Sequence, residues 1–144
     1  MRCRAQETAK ILQKKLKVEI KTVEGFRERN LYGVLTGMKK DEARKNYPEL
    51  VERIKNVQDT IEGAETWQDF VRRIVDSFNK ISKSDYKTVL IVTHGGPIRR
   101  ILWEILGIKK EQSEIKIDDC ALIEIDSNLA ENSLVRTEGI LFKS

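Results

Sequence analysis

The sequence predicts an α/β fold with a mixed, mostly parallel sheet, and three features predict it. Val89, Leu90, Ile91 and Val92 form a continuous apolar run, the pattern of a strand covered on both faces. Trp67, Val71, Ile74, Phe78 and Ile81 recur at steps of four, three, four and three, which draws one apolar stripe along a helix. Towards the C-terminus, residues 115–117, 121–125 and 134–142 read as strands, with a polar turn over 126–133. With 144 residues, of which 40% are hydrophobic, the chain can bury one core but not comfortably two, so a single domain is expected.

The elements follow in order. Ala5, Ala9, Leu12 and Leu16 share one helical face while Lys10, Lys14 and Lys15 take the other, so a helix begins almost at once. Val18, Ile20 and Val23 alternate with polar or charged residues as a short half-buried strand would, until Glu24-Gly25 opens a loop. Residues 26–37 contain Gly33 and Gly37 and show no helical period, so they read as loop. Residues 39–47 and 49–57 read as two short polar helices, an insertion over one face. Pro48 separates them, since it cannot continue the first and suits the start of the second. After the apolar run at 89–92 comes Thr93-His94-Gly95-Gly96-Pro97, and Pro97 fits a first helical turn. Ile98, Ile101, Leu102, Ile105 and Leu106 give that helix its apolar face until Gly107 stops it.

Charged residues make up 35% of the chain but are interspersed with apolar ones, the mark of a solvated surface rather than of disorder. The net charge of +4 favours anionic partners: phosphate esters, nucleic acid or an acidic membrane face. Few aromatics and no basic tail disfavour a nucleic-acid binder. Cys3 and Cys120 are too few and too far apart for a disulfide framework or a zinc site, and read as small half-buried thiols of a reducing compartment. No stretch approaches the roughly 18 apolar residues of a membrane span, and the start lacks a signal peptide's apolar region. A cytoplasmic protein without membrane contact is expected.

The segment from Val89 to the helix at Pro97 carries the chemistry. Ligands of open α/β sheets bind beyond the carboxyl ends of strands, and a helix start offers free N–H groups and a positive dipole end to an anion. His94 stands at that junction, and Gly95 and Gly96 let backbone approach a ligand closely. Taken alone, the same residues also describe a tight turn beside a hydrogen-bonded structural histidine.

Further motifs bear on this choice. Arg4-Ala5-Gln6-Glu7-Thr8-Ala9, then Phe26-Arg27-Glu28-Arg29 with Tyr32-Gly33, then Gly63-Ala64-Glu65-Thr66, and finally Val92-Thr93-His94-Gly95-Gly96 stand in one order along the chain. In motif and order they resemble the histidine phosphatase superfamily, and the loop with Tyr32-Gly33-Val34-Leu35-Thr36-Gly37 is most similar to its phosphoglycerate mutase branch. The resemblance implies a three-layer α/β/α fold and a metal-free, cofactor-free pocket for a small phosphorylated metabolite. One histidine there attacks phosphorus, a second histidine and two arginines hold the equatorial oxygens, and a carboxylic acid protonates the leaving oxygen. Such donors stabilise the spreading negative charge of phosphoryl transfer.

Carried over by position, the resemblance makes His94 the second histidine, Arg4 the second arginine and Glu28 the acid. Glu24 is a poorer alternative acid, and Arg2 competes with Arg4. Arg29 and Tyr32 are similar to substrate-contacting positions, with surface solvation the other reading of Arg29 and packing that of Tyr32; Gly95 and Gly96 are expected to meet the substrate, while Glu65 and Arg73 read as braces of the long helix. The family's Arg-His-Gly nucleophile motif has no counterpart, and His94 is the chain's one histidine. The chain is therefore expected to lack the family's first strands, to be impaired in catalysis, and to meet its unpaired strands by forming a homo-oligomer.

Overall fold

The computed structural model describes residues 4–110, 114–128 and 131–143. They divide into two units, Met1–Glu28 with Ile74–Ser144, and Arg29–Arg73.

In the first unit, helix α1 (Arg4–Leu16) forms where its period predicts, yet none of its residues is buried. Ala5, Ala9 and Leu12 are half-covered, while Ile11 and Leu16 are exposed. The two segments expected to be strands near the candidate site, residues 18–23 and 89–92, lie in no ladder. Val89 is 43% and Leu90 54% exposed, far from the coverage of an interior strand. The sheet among the described residues has two antiparallel strands, and the expected three-layer arrangement around a mostly parallel sheet is not seen among them. The physical reason is that an apolar run states which surface a strand would bury, whereas a ladder requires a neighbour's N–H and C=O groups.

The C-terminal half of this unit builds its core. Helix α5 (Gly95–Arg100) passes into a π-helical turn (Ile101–Ile105), and Gly107 closes it at a φ of 66°. Leu102 is wholly buried against Ile115 and Ile140 of a hairpin, with Ile98, Leu106, Ile117 and Ile123 around them. That hairpin pairs β1 (Ile115–Ser127) with β2 (Asn132–Phe142), matching Ile117 to Ile140 and Glu124 to Arg136. Its register shifts between Ile117 and Leu122, where Cys120 takes a φ of 59°. The bulge turns the Cys120 thiol outwards, so it is exposed rather than half-buried as expected. Cys3 and Arg2 lie outside the described residues.

In the Arg29–Arg73 unit, Leu35, Ala43 and Ile61 form a small core, with Leu50, Val51 and Ile54 packed on it. Helices α2 (Lys40–Asn46) and α3 (Pro48–Arg53) flank the break at Pro48, which takes a first-turn position. The second helix ends earlier than its period suggests. Asn56 accepts a bond from the Gln58 amide and its side chain reaches Asp59, so a local turn competes with further helix. Thr66 then caps the Asp69 amide at 3.1 Å and opens α4 (Trp67–Ser82), which buries Phe70, Ile74 and Phe78.

Gly33 holds this unit's loop close to the backbone at 62–64. Its φ is +44°, and a Cβ there would stand 2.1 Å from the Glu62 carbonyl oxygen and 2.6 Å from the Ala64 nitrogen. Neither backbone atom can swing away as a side chain would, so Gly33→Ala is expected to cost about 2 kcal/mol or more. Urea unfolding followed by tryptophan fluorescence measures it, and an unchanged midpoint would contradict the close approach.

Candidate active site

The site is assembled within the first unit from residues distant in sequence. Phe26 is buried, and the Thr93 hydroxyl donates to its carbonyl oxygen at 2.5 Å, which fixes the loop before Glu28 against the segment before His94. From that loop the Glu28 carboxylate reaches the start of α5. The Gly96 N–H donates to Glu28 Oε2 at 3.2 Å, as a free amide of a first helical turn is placed to do. A Cβ on Gly96 would lie 2.1 Å from Glu28 Oε1, so this approach needs glycine.

His94 sits immediately before α5 in extended backbone, with φ −122° and ψ 169°. Its side chain is half-buried, and its carbonyl accepts the Ile98 amide at 3.2 Å. Pro97 is buried in the first turn. The histidine, the two glycines and the candidate acid thus meet at one helix start. Arg4 is exposed at the first position of α1, and the structure gives it no hydrogen bond or ion pair among the described residues.

The remaining expected contacts, Arg29 and Tyr32, belong to the Arg29–Arg73 unit. Arg29 Nε and Nη2 donate to the Glu65 carbonyl at 3.0 and 2.8 Å, Nη2 also reaches the Asp59 carbonyl at 3.0 Å, and Nη1 donates to the Val57 carbonyl. Burial pushes this guanidinium below arginine's usual range, against the pull of Glu65. Arg29 therefore pins three backbone carbonyls of its own unit. Tyr32 precedes the short 3-10 turn Gly33–Leu35, and its side chain is 54% exposed. Glu65 and Arg73 form a two-pronged pair, Nε to Oε1 at 2.6 Å and Nη2 to Oε2 at 2.8 Å, which is the helix brace the sequence suggested.

Sequence reasoning passed over the arginine pair that follows the glycines. Arg100 is buried, holds Glu104 at 3.5 Å and lies over the Trp103 ring. Burial first, and the neighbouring Arg99 charge as well, lower its affinity for a proton, while Glu104 raises it. Arg99 turns back towards Gly95, with Nη1 3.2 Å from the place of a Cβ there. The available signal was the four-residue step from Gly95 to Arg99, which puts both on one helical face.

A histidine, two glycines and a carboxylate are gathered at one helix start, where backbone amides can meet an anion. The chain matches the family model of the histidine phosphatase superfamily (branch 1) over residues 2–138 and belongs to that superfamily. Among curated proteins it is similar to the uncharacterized phosphatase PhoE of Bacillus subtilis (strain 168), at 31% identity over 124 residues. The match covers 85% of this chain, and the chain spans 59% of the length of that relative. No helix among the described residues is long and apolar enough to cross a membrane.

Proposed function

We propose that this chain binds the phosphoryl group of small phosphate esters at His94, Gly95 and Gly96, in the manner of the phosphoglycerate mutase branch, and that its own turnover is impaired. The observation that carries the reading is the Glu28 carboxylate on the Gly96 amide, directly after His94. That contact puts a carboxyl group beside the donors a phosphoryl oxygen would use, where a protonated acid can serve a leaving oxygen. It also sets a condition. An anion taking the Gly96 N–H must displace Glu28 or meet it neutral, since two carboxylate and phosphate charges cannot share one amide.

The impairment follows from the count of histidines. His94 is the only one, and a single imidazole cannot both attack phosphorus and hold its oxygens from another side. Arg4 supplies the second positive donor in this reading, and Arg29 positions the loop that carries Tyr32.

Titration with phosphate or vanadate tests the site. Binding is expected in the wild-type chain and is expected to vanish in the His94→Ala, Arg4→Ala double variant, while wild type and His94→Ala hydrolyse an aryl phosphate equally slowly. Unchanged binding by the double variant would show that the pocket is elsewhere. A clear rate that disappears with His94→Ala would make His94 the attacking group.

A second reading has its own support. Residues 18–23 and 89–92 lie outside any ladder, and Val18, Val23, Val89 and Leu90 are exposed. This favours a phosphatase completed by further strands, from a second copy or from another polypeptide.

A further inference from the structure

We propose that Arg99 is a further phosphate-binding residue of this site, holding a phosphoryl oxygen beside His94 and Gly95. The inference rests on the reading of His94 to Gly96 as the phosphate site. Two observations carry it.

The first is an unsatisfied donor. Arg99 Nη2 donates to the Ile115 carbonyl at 3.2 Å, but Arg99 Nε is buried and has no hydrogen-bond partner. Buried arginine donors without an acceptor are uncommon, because desolvating an N–H of a charged group is unfavourable unless something replaces the water.

The second is an uncompensated charge in a particular place. Among the described residues Arg44, Arg72, Arg73, Arg100 and Arg136 each hold a carboxylate, whereas Arg99 holds none, as do Arg4 and Arg53, which unlike it are exposed. Side chains on a helix lean towards its N-terminus, so Arg99 folds back over the turn begun by Gly95, which has no Cβ to hinder it. A cation held there faces the positive end of the helix and stands next to the Arg100 charge. Both repel it, and an anion at His94 and Gly95 would reverse the balance. The fixed Ile115 bond keeps the guanidinium in position, so little ordering remains to be done when the anion arrives.

The test is titration of inorganic phosphate into the full chain by calorimetry, with thermal unfolding followed alongside. Arg99→Gln removes the charge while retaining a donor for the Ile115 carbonyl, and it is expected to bind phosphate about tenfold more weakly. Arg99→Lys, which keeps the charge but not the fork, is expected to fall between the two. Arg136→Gln, on the exposed hairpin, is expected to bind as wild type does. Should Arg99→Gln fail to fold, Arg99→Lys decides, and wild-type affinity in it overturns the inference. If Arg99→Gln binds normally while His94→Ala does not, Arg99 has no part and the site reading stands. If both variants bind normally, or wild type binds no phosphate, the site reading and the inference fall together.

Discussion

Supplying this chain with a segment that contains Arg-His-Gly, by extending the gene or adding a peptide, is expected to raise aryl phosphate hydrolysis by several powers of ten. In the proposed reading that segment brings the attacking histidine, and a factor of that size is expected because the groups of such a site act as a unit. The same addition is expected to raise the unfolding temperature. Residues 18–23 and 89–92 leave backbone groups outside any ladder, and Val18, Val23, Val89 and Leu90 expose apolar surface that a new strand would cover. Hydrolysis and thermal unfolding are measured on one preparation, with and without the segment, and sedimentation reports whether the chain otherwise pairs with a second copy. A chain that sediments as a monomer, melts cooperatively and gains neither activity nor stability would refute the account.

Arg29→Ala is expected to destabilise the Arg29–Arg73 unit by about 3–5 kcal/mol, because three carbonyls lose a charged donor together. The donors concerned reach the Val57, Asp59 and Glu65 carbonyls. Arg29→Lys is expected to recover only part of the loss, since one ammonium cannot reproduce the planar fork. Hydrogen exchange of the amides in residues 54–66 reads this directly. The outcome also separates the two roles open to Arg29. Faster exchange marks a residue that organises its unit, whereas unchanged exchange with weaker phosphate binding would mark one that touches the ligand.

Much of the local structure was legible in the residues. The step pattern from Trp67 to Ile81 located α4, although it omitted Phe70, which lies in the same stripe and is buried with Ile74 and Phe78. Pro48 and Gly107 marked a start and a stop because their effects are intrinsic to the backbone. The apolar alternation at 18–23 and the apolar run at 89–92 misled for the opposite reason: strand formation is a property of two segments, and one segment's pattern cannot supply the other. Glu28 was singled out through its motif, while its contact with Gly96 depends on the distant Thr93–Phe26 bond.

The sequence by itself determined roughly where the helices lie, the family of the chain, the presence of a single histidine and its place beside two glycines before a helix. Periodicity and glycine or proline preferences act over a few residues, so they can be read from neighbours along the chain. Only the tertiary structure decided that the 89–92 segment stays outside a ladder, that Arg29 spends its donors on carbonyls within its own unit, and that Arg99 brings Nη1 beside Gly95 while its Nε is buried and unsatisfied. Each of these is a pairing across many residues, set by which groups the folded backbone brings within hydrogen-bond reach, and no local preference encodes it.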